Sequence, residues 1–220
     1  MSARYTLIVG TKNWSSWSLR PYLALRATGA AFEEIVVQLR RAESMRAEIL
    51  KYTPSGRVPG LRIEESGTSF TVFDSLAIYE TLAERHPDAG LWPHDPGARA
   101  QARSISAVMH SSFAQLRATL SMDFVRQLPA PSLSDDVNEQ IAEITGYWEN
   151  ARERFGRSGD FLFGRFSIAD CMYAPVVSRF RTYGITLSPA LSAYSDSVFA
   201  LPAMRDWWNA AQAEVDKGLA

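Results

Sequence analysis

Apolar positions fall first in short runs and later in long helical stripes. Residues 5–9 form a compact apolar run closed by Gly10, the pattern of a strand buried on both faces in a parallel sheet. Over 19–26, Leu19, Tyr22, Leu23 and Leu25 repeat at helical spacing, and Gly29 supplies a stop. Residues 33–39 carry the β-branched run Ile35, Val36 and Val37, which completes a strand–helix–strand unit expected to cross over right-handed. The polar segment 40–51 reads as a second helix, ended by Thr53-Pro54-Ser55-Gly56. Residues 61–63 and 69–73 flank the turn signal Glu64-Glu65-Ser66-Gly67-Thr68 and predict an antiparallel hairpin. Asp74-Ser75 then opens an apolar helix over 76–85.

Beyond that helix the strand patterns stop. Residues 87–97 hold Pro87, Gly90, Pro93, Pro96 and Gly97, a breaker-rich connection of the kind that joins domains. After it, 98–124, 133–155, 168–183 and 203–215 are each helical in period. The expected architecture is an α/β domain over 1–86 in the order βαβαββα, a linker over 87–97 and an all-α domain over 98–220.

Composition narrows the partners. A chain of 220 residues, 46% hydrophobic and with six Trp, has material for a sizeable core and is not a disordered segment. Its 23 basic and 24 acidic residues give a formal charge of -1 with no basic run, which argues against nucleic acid or acidic lipid and for a small molecule or a protein. The lone Cys171 excludes an intrachain disulfide, a cysteine-based zinc site and a Cys-x-x-Cys redox pair, and points to a reducing cytoplasm. No run reaches the ~18 apolar residues of a membrane helix and no leader pattern opens the chain, so a soluble, unprocessed protein is expected.

Candidate chemistry sits at the joints between elements. Asn13-Trp14-Ser15-Ser16-Trp17-Ser18-Leu19-Arg20-Pro21 lies between the first strand and the first helix. A helix start offers unpaired N–H groups and the positive end of a dipole, so a serine there either caps the helix or donates to a thiolate or phosphate. Pro21 leaves the start open: a helix from Ser16 holds the proline in its interior, whereas a cap at Ser18 places it in the tolerated first turn. Pro59 stands at the mouth of a strand, where base rates favour a trans peptide unless a motif overrides them. Asp74-Ser75 either caps its helix or holds the ammonium and carboxylate of a ligand.

Taken in order, these motifs resemble a cytosolic glutathione transferase, and the resemblance spans essentially the whole chain. Ser15-Ser16-Trp17-Ser18-Leu19-Arg20 is similar to the Ser-Ser-x-Ser-x-Arg segment of serine-type members, nearest the zeta pattern, in which the first serine faces the glutathione sulfur. Pro54-Ser55-Gly56-Arg57-Val58-Pro59 resembles the family's Asn-Pro-x-x-x-Val-Pro loop, with Thr53 where Asn is usual. The resemblance implies a cis Pro59, a Val58 backbone that pairs with the cysteinyl part of glutathione, and an Asp74-Ser75 pair that receives the γ-glutamyl end. It adds Ser16 to the glutathione contacts and Arg57 as a partner for the glycine carboxylate. Phe166-Ser167-Ile168-Ala169-Asp170 matches the family's helix-capping box, with Ser167 and Asp170 at capping-box spacing, a feature for folding rather than chemistry.

The implied fold is a thioredoxin-like first domain followed by an all-helical second one. The implied activity is conjugation of glutathione, the co-substrate, to small electrophiles in a cytoplasmic homodimer, without a metal. Serine is a poor base, so the role of Ser15 is to donate to the sulfur and favour thiolate over thiol. Zeta-type isomerases carry Cys after the second serine, where Trp17 stands here, so isomerisation, a glutathione peroxidase and a non-catalytic binding or regulatory module of the same fold remain as alternatives. For the electrophile, His110, Phe113 and Arg117 at i, i+3 and i+7, with Met109 and Trp17, either border the cleft or serve as core, dimer contact and solvated charge.

Overall fold

The computed structural model describes residues 3–39 and 45–220. Its first layer contains β1 (Arg4–Gly10), α1 (Ser16–Thr28), β2 (Phe32–Val37), α2 (Met45–Leu50), β3 (Gly60–Glu65), β4 (Thr68–Phe73) and α3 (Ser75–Arg85). The strands lie in the order β2-β1-β3-β4. β1 runs parallel to β2 with Tyr5 opposite Phe32, and antiparallel to β3 with Leu7 opposite Leu61. The hairpin of β3 and β4 has the expected register, Leu61 opposite Val72. This mixed four-stranded sheet with helices is the thioredoxin-like arrangement the resemblance implies. Residues 40–44, the start of the expected second helix, lie outside the described residues.

The second layer is helical: α4 (Pro96–Ser111), α5 (Ala114–Thr119), α6 (Asp135–Phe155), α7 (Ile168–Thr182), α8 (Pro189–Ala200) and α9 (Pro202–Asp216). Three expectations change. α4 begins at Pro96, inside the breaker-rich connection, because Asp95 caps it by accepting from Ala98 N and proline is tolerated at the first helical position. The single helix expected over 98–124 is broken: α4 stops at Ser111 and Phe113 adopts φ 63°, a left-handed conformation that turns the chain before α5. α8 was not anticipated, although Ser188 followed by Pro189, with Leu191, Tyr194 and Val198 buried at helical spacing, is its signature.

α1 is where the layers meet, for it packs against β1 and α3 and also against α7 and α9. Leu19, Leu23 and Leu25 are buried, and so is Arg20. The helix holds Pro21 in its interior, and the alternative cap at Ser18 is not used. α7, the central helix of the second layer, is buried over nearly its whole length. Its start is the expected capping box: Asp170 Oδ2 accepts from Ser167 N at 2.8 Å and from Ser167 Oγ at 3.0 Å, and Oδ1 accepts from Leu162 N at 3.0 Å. Phe166 meets Phe161 edge to face beside it. Among the described residues no helix is long and apolar enough to cross a membrane.

Burial pushes the Asp170 carboxyl up to about 6 against the pull of its donors. Asp170→Ala strands the Leu162 and Ser167 N–H groups and is expected to lower the unfolding free energy by about 2–5 kcal/mol in urea titrations. The folded chain keeps the Asp170 proton to a higher pH than the unfolded chain, whose aspartates titrate near ~3.9. Its contribution is therefore full below about pH 4 and declines as pH rises through about 6. The stability gap between wild type and Asp170→Ala should narrow across that window; a gap that widens would show that the fold prefers the carboxylate.

Candidate active site

A cleft of about 490 Å³ opens between the layers, lined by Trp17, Ser55, Arg57, Val58, Pro59, Phe73, Asp74, Ser75 and His110. One wall is the loop entering β3. The Val58-Pro59 peptide is cis, and Thr53 Oγ1 and Ser55 Oγ both donate to the Arg57 carbonyl, at 2.9 and 3.2 Å. Gly60 follows because a side chain there would run into Thr53, whose Cγ2 would lie 2.3 Å from an added Cβ. The loop therefore depends on a small residue after Pro59 and a hydroxyl at 53.

The opposite end is polar. Asp74 has φ 76°, caps α3 by accepting from Leu76 N at 2.8 Å through Oδ1, and turns Oδ2 toward His110 Nε2 at 3.2 Å. Ser75, the first residue of α3, approaches His110 Nδ1 at 3.5 Å. A serine, a histidine and a carboxylate meet here, but the serine–histidine contact is at the limit of a hydrogen bond and Ser75 is 1% exposed. The trio suits a seat for an ammonium and a carboxylate better than a nucleophile and its base. His110, in the last turn of α4, thus ties the helical layer to the acidic end of the cleft.

Trp17 stands between this end and a cluster of arginines. Its ring meets His110 edge to face at 5.3 Å, with the Arg20 guanidinium 4.2 Å and the Arg117 guanidinium 5.4 Å from the ring centre. Arg20 Nε donates to the Met172 carbonyl at 3.0 Å, while its two terminal nitrogens and the nearby Tyr79 hydroxyl have no partner among the described residues. Burial lowers Arg20 to about 10, with Arg117 adding to the effect, and lowers Arg179 to about 9, with Arg20 and Arg117 adding. Arg117, half-buried, is lowered for the same reason and donates to the Met109 carbonyl at 3.0 Å. All three stay charged at neutral pH, close enough to repel one another.

The serine segment lies behind Trp17 rather than in the cleft wall. Ser15 and Ser16 are 4% and 6% exposed and neither lines the cleft. Ser15 is the N-cap residue of α1, yet its hydroxyl makes no cap bond and donates instead to Ser18 Oγ at 2.7 Å. The loop before it is fastened to the helical layer through Asn13, whose Oδ1 accepts from Phe124 N and Val125 N at 2.9 and 3.1 Å. Asn13 Nδ2 donates to Asp123 Oδ1 at 3.1 Å, and its backbone N donates to Glu214 Oε2 at 3.2 Å. Next to it, Trp207 Nε1 donates to the Lys12 carbonyl at 3.0 Å.

The structure thus brings together Trp17, Arg57, Val58, Pro59, Asp74, Ser75 and His110, with Arg117 against Trp17. It does not bring Met109 or Phe113 to the cleft: both are buried in the core, because the chain turns at Phe113 and the shared helical face expected for His110, Phe113 and Arg117 is never formed. Sequence reasoning misses Ser55, although it lies inside the motif over 54–59, Phe73, which immediately precedes Asp74, and Arg20, a motif letter in the sequence and a charge against Trp17 in the structure. Among the described residues no group of three or more His, Cys, Asp or Glu is placed to hold a metal. Cys171 is buried and its thiol is pushed well up by burial, the state of an inert core residue.

Comparison with known proteins decides the family. Residues 14–85 match the family model of the glutathione S-transferase N-terminal domain, and residues 107–207 match that of the C-terminal domain. The chain belongs to the glutathione S-transferase family. It is 30% identical over 197 residues to a zeta-class glutathione S-transferase of Euphorbia esula, covering 86% of this chain and 83% of that one. It is 27% identical over 200 residues to a maleylacetoacetate isomerase of Pseudomonas aeruginosa, covering 87% and 90%. Among solved structures, a maleylacetoacetate isomerase from Anaeromyxobacter dehalogenans with glutathione bound in its active site has the same fold, with a TM-score of 0.66 and 24% identity over 94% of this chain and 95% of that one. For this glutathione S-transferase, the two family-model segments bracket the cleft: its walls come from the first and His110 from the second.

Proposed function

We propose that this member of the family binds glutathione along the cleft, stabilises its thiolate through Ser15 and conjugates it to small electrophiles. The observation that carries the reading is the convergence of Val58 and cis-Pro59 on one wall with Asp74 and Ser75 at the end. The Val58 backbone pairs with the cysteinyl unit, and Asp74 and Ser75 receive the ammonium and carboxylate of the γ-glutamyl unit. Arg57 takes the glycine carboxylate with its guanidinium fork. That placement directs the sulfur toward the start of α1, where Ser15 turns its hydroxyl outward to donate and Ser16 supports the same end. The thiol proton leaves to water, and the sulfur lone pair forms the new bond to the electrophilic carbon as that carbon gives up a bond: a halide departs with its electron pair from a halonitroarene, or the π pair of an enone moves onto the substrate and takes a proton from water. A reducing, cytoplasmic setting keeps the co-substrate as the thiol.

A second reading, a zeta-like isomerase acting on an anionic substrate, is favoured by one specific observation. Burial lowers the basicity of Arg20, Arg117 and Arg179, Arg117 lowers Arg20 further and both lower Arg179. None of the three has an ion-pair partner among the described residues, so a carboxylate guest beside Trp17, against which Arg20 and Arg117 lie, would relieve an existing repulsion. In both readings the protein is a homodimer. The support is that Phe70, on the outer strand β4, is 47% exposed, a large apolar side chain at a sheet edge that a second copy would cover.

Three measurements test these proposals. Ultraviolet titration of the bound thiol should give an apparent pKa below the ordinary thiol value of about 8.5, rising by roughly one to two units in Ser15→Ala with a parallel loss of turnover. No change in Ser15→Ala, with loss of both in Ser16→Ala, would move the donor to Ser16. Arg117→Gln should lower kcat/KM about 10- to 100-fold for carboxylate-bearing electrophiles such as maleylacetone and much less for a neutral halonitroarene. Equal losses on both would remove the anionic reading. Sedimentation at micromolar concentration is expected to return a dimer that Phe70→Ser weakens; a wild-type monomer refutes the dimer.

A further inference from the structure

Ser18 carries no role in the reading above, yet it is the nearest polar neighbour of the proposed thiolate donor. It is fully buried in the first turn of α1 and does not line the cleft. Its Oγ accepts from Ser15 Oγ at 2.7 Å and from the backbone N–H of Gly10 at 3.0 Å. Gly10 closes β1, and a Cβ there would lie 2.6 Å from Leu39 Cδ1, so close packing sets where this N–H points. The Ser18 oxygen is therefore anchored to the sheet, and the first turn of α1 carries Ser15 against it.

We propose that Ser18 is a positioning residue for Ser15, through a relay that begins at the Gly10 N–H; the inference rests on Ser15 being the thiolate donor. As folded, the Ser15 proton is committed to Ser18, which accepts two bonds, and Ser18's own proton has no acceptor among the described residues. When Ser15 turns its O–H to a sulfur, Ser18 loses one donor and its own O–H is free to rotate toward Ser15 Oγ. The chain then runs from the Gly10 N–H to Ser18, from Ser18 to Ser15 and from Ser15 to the thiolate. Each bond polarises the next in a buried environment, so the terminal donor is stronger than an isolated serine. No covalent bond changes and no proton is transferred along the relay. Ser18 sets the rotamer of Ser15 before binding and donates to it afterwards.

The test combines thiol titration with a double-mutant cycle. Ser18→Ala should raise the apparent pKa of the bound glutathione thiol by about half to one unit and lower kcat about three- to tenfold at neutral pH. KM for glutathione should change less than about twofold, because Ser18 does not touch the tripeptide. In a Ser15→Ala background, Ser18→Ala should have no further effect on the titration. Should Ser18→Ala fail to fold, Ser18→Cys keeps the side chain's shape in a slightly larger group with a weaker donor and acceptor and is expected to shift the titration the same way. An unchanged titration in the folded Ser18 variant, with a raised pKa in Ser15→Ala, overturns this proposal alone. An effect of Ser18→Ala that persists in the Ser15→Ala background also overturns it, by assigning Ser18 to folding. If Ser15→Ala itself leaves the titration unmoved, the reading of Ser15 fails first and the relay with it.

Discussion

One buried amide fixes the geometry on which the site depends. Asn13 has both faces of its side chain engaged: the carbonyl oxygen accepts two backbone N–H groups of the 124–125 segment and the NH2 donates to Asp123. Its own N–H is held by Glu214. Each bond contributes only about 0.5–1.5 kcal/mol net, but removing the amide would leave several buried groups unsatisfied, a cost of about 1–3 kcal/mol apiece. The loop that presents Ser15 is thus positioned by the helical layer as much as by the strand it follows. Lys12, beside it, lies over the Tyr22 and Trp207 rings and pairs with Glu34 at 2.5 Å, so the clasp extends from the sheet through α1 to α9. Asn13 looks like an ordinary loop polar residue in the sequence, and its importance comes entirely from what folds around it.

The cleft is polarised along its length. Asp74 carries a negative charge at one end, and Arg20 and Arg117 carry positive charges beyond Trp17. The tryptophan ring mediates between them, its electron-rich face turned to two guanidiniums and its edge contact made with His110. An anion placed near Trp17 would lie in the field of the arginines. Arg20 is as much a part of the electrostatics as of the packing, which explains why a fully buried guanidinium with two unpartnered nitrogens stands beside a binding cleft.

Much of this was legible from residue order. The βαβ unit, the β3–β4 hairpin, the Val58-Pro59 loop, the Asp74-Ser75 helix start and the Ser167–Asp170 box are local signals, set by backbone requirements within a few residues, and they appear as read. What was not legible depends on contacts far along the chain. Helical spacing continues through residues 98–124, so nothing local marks the turn at Phe113; it is held where Leu116 N donates to Gln140 Oε1 on α6 and where Arg117 reaches back to the Met109 carbonyl. That same turn buries Met109 and Phe113 and leaves His110 at the cleft. The direction of the Ser15 hydroxyl is likewise invisible in sequence, since a serine at a helix start has the same letter whether it faces a ligand, a backbone N–H or another serine.

The sharing of α1 between the two layers bears on how the chain is made. The sheet and its helices are complete early in synthesis, but Arg20 finds its Met172 partner 152 residues later, and Asn13 finds Glu214 after 201. At ~5–20 residues per second these partners arrive roughly 8–40 s after the segment they complete. During that interval the nascent sheet layer exposes the helix face that α7 and α9 will cover, including a guanidinium destined for the interior. The division between domains is one of sequence and shape, while the unit that can close its core is the whole chain.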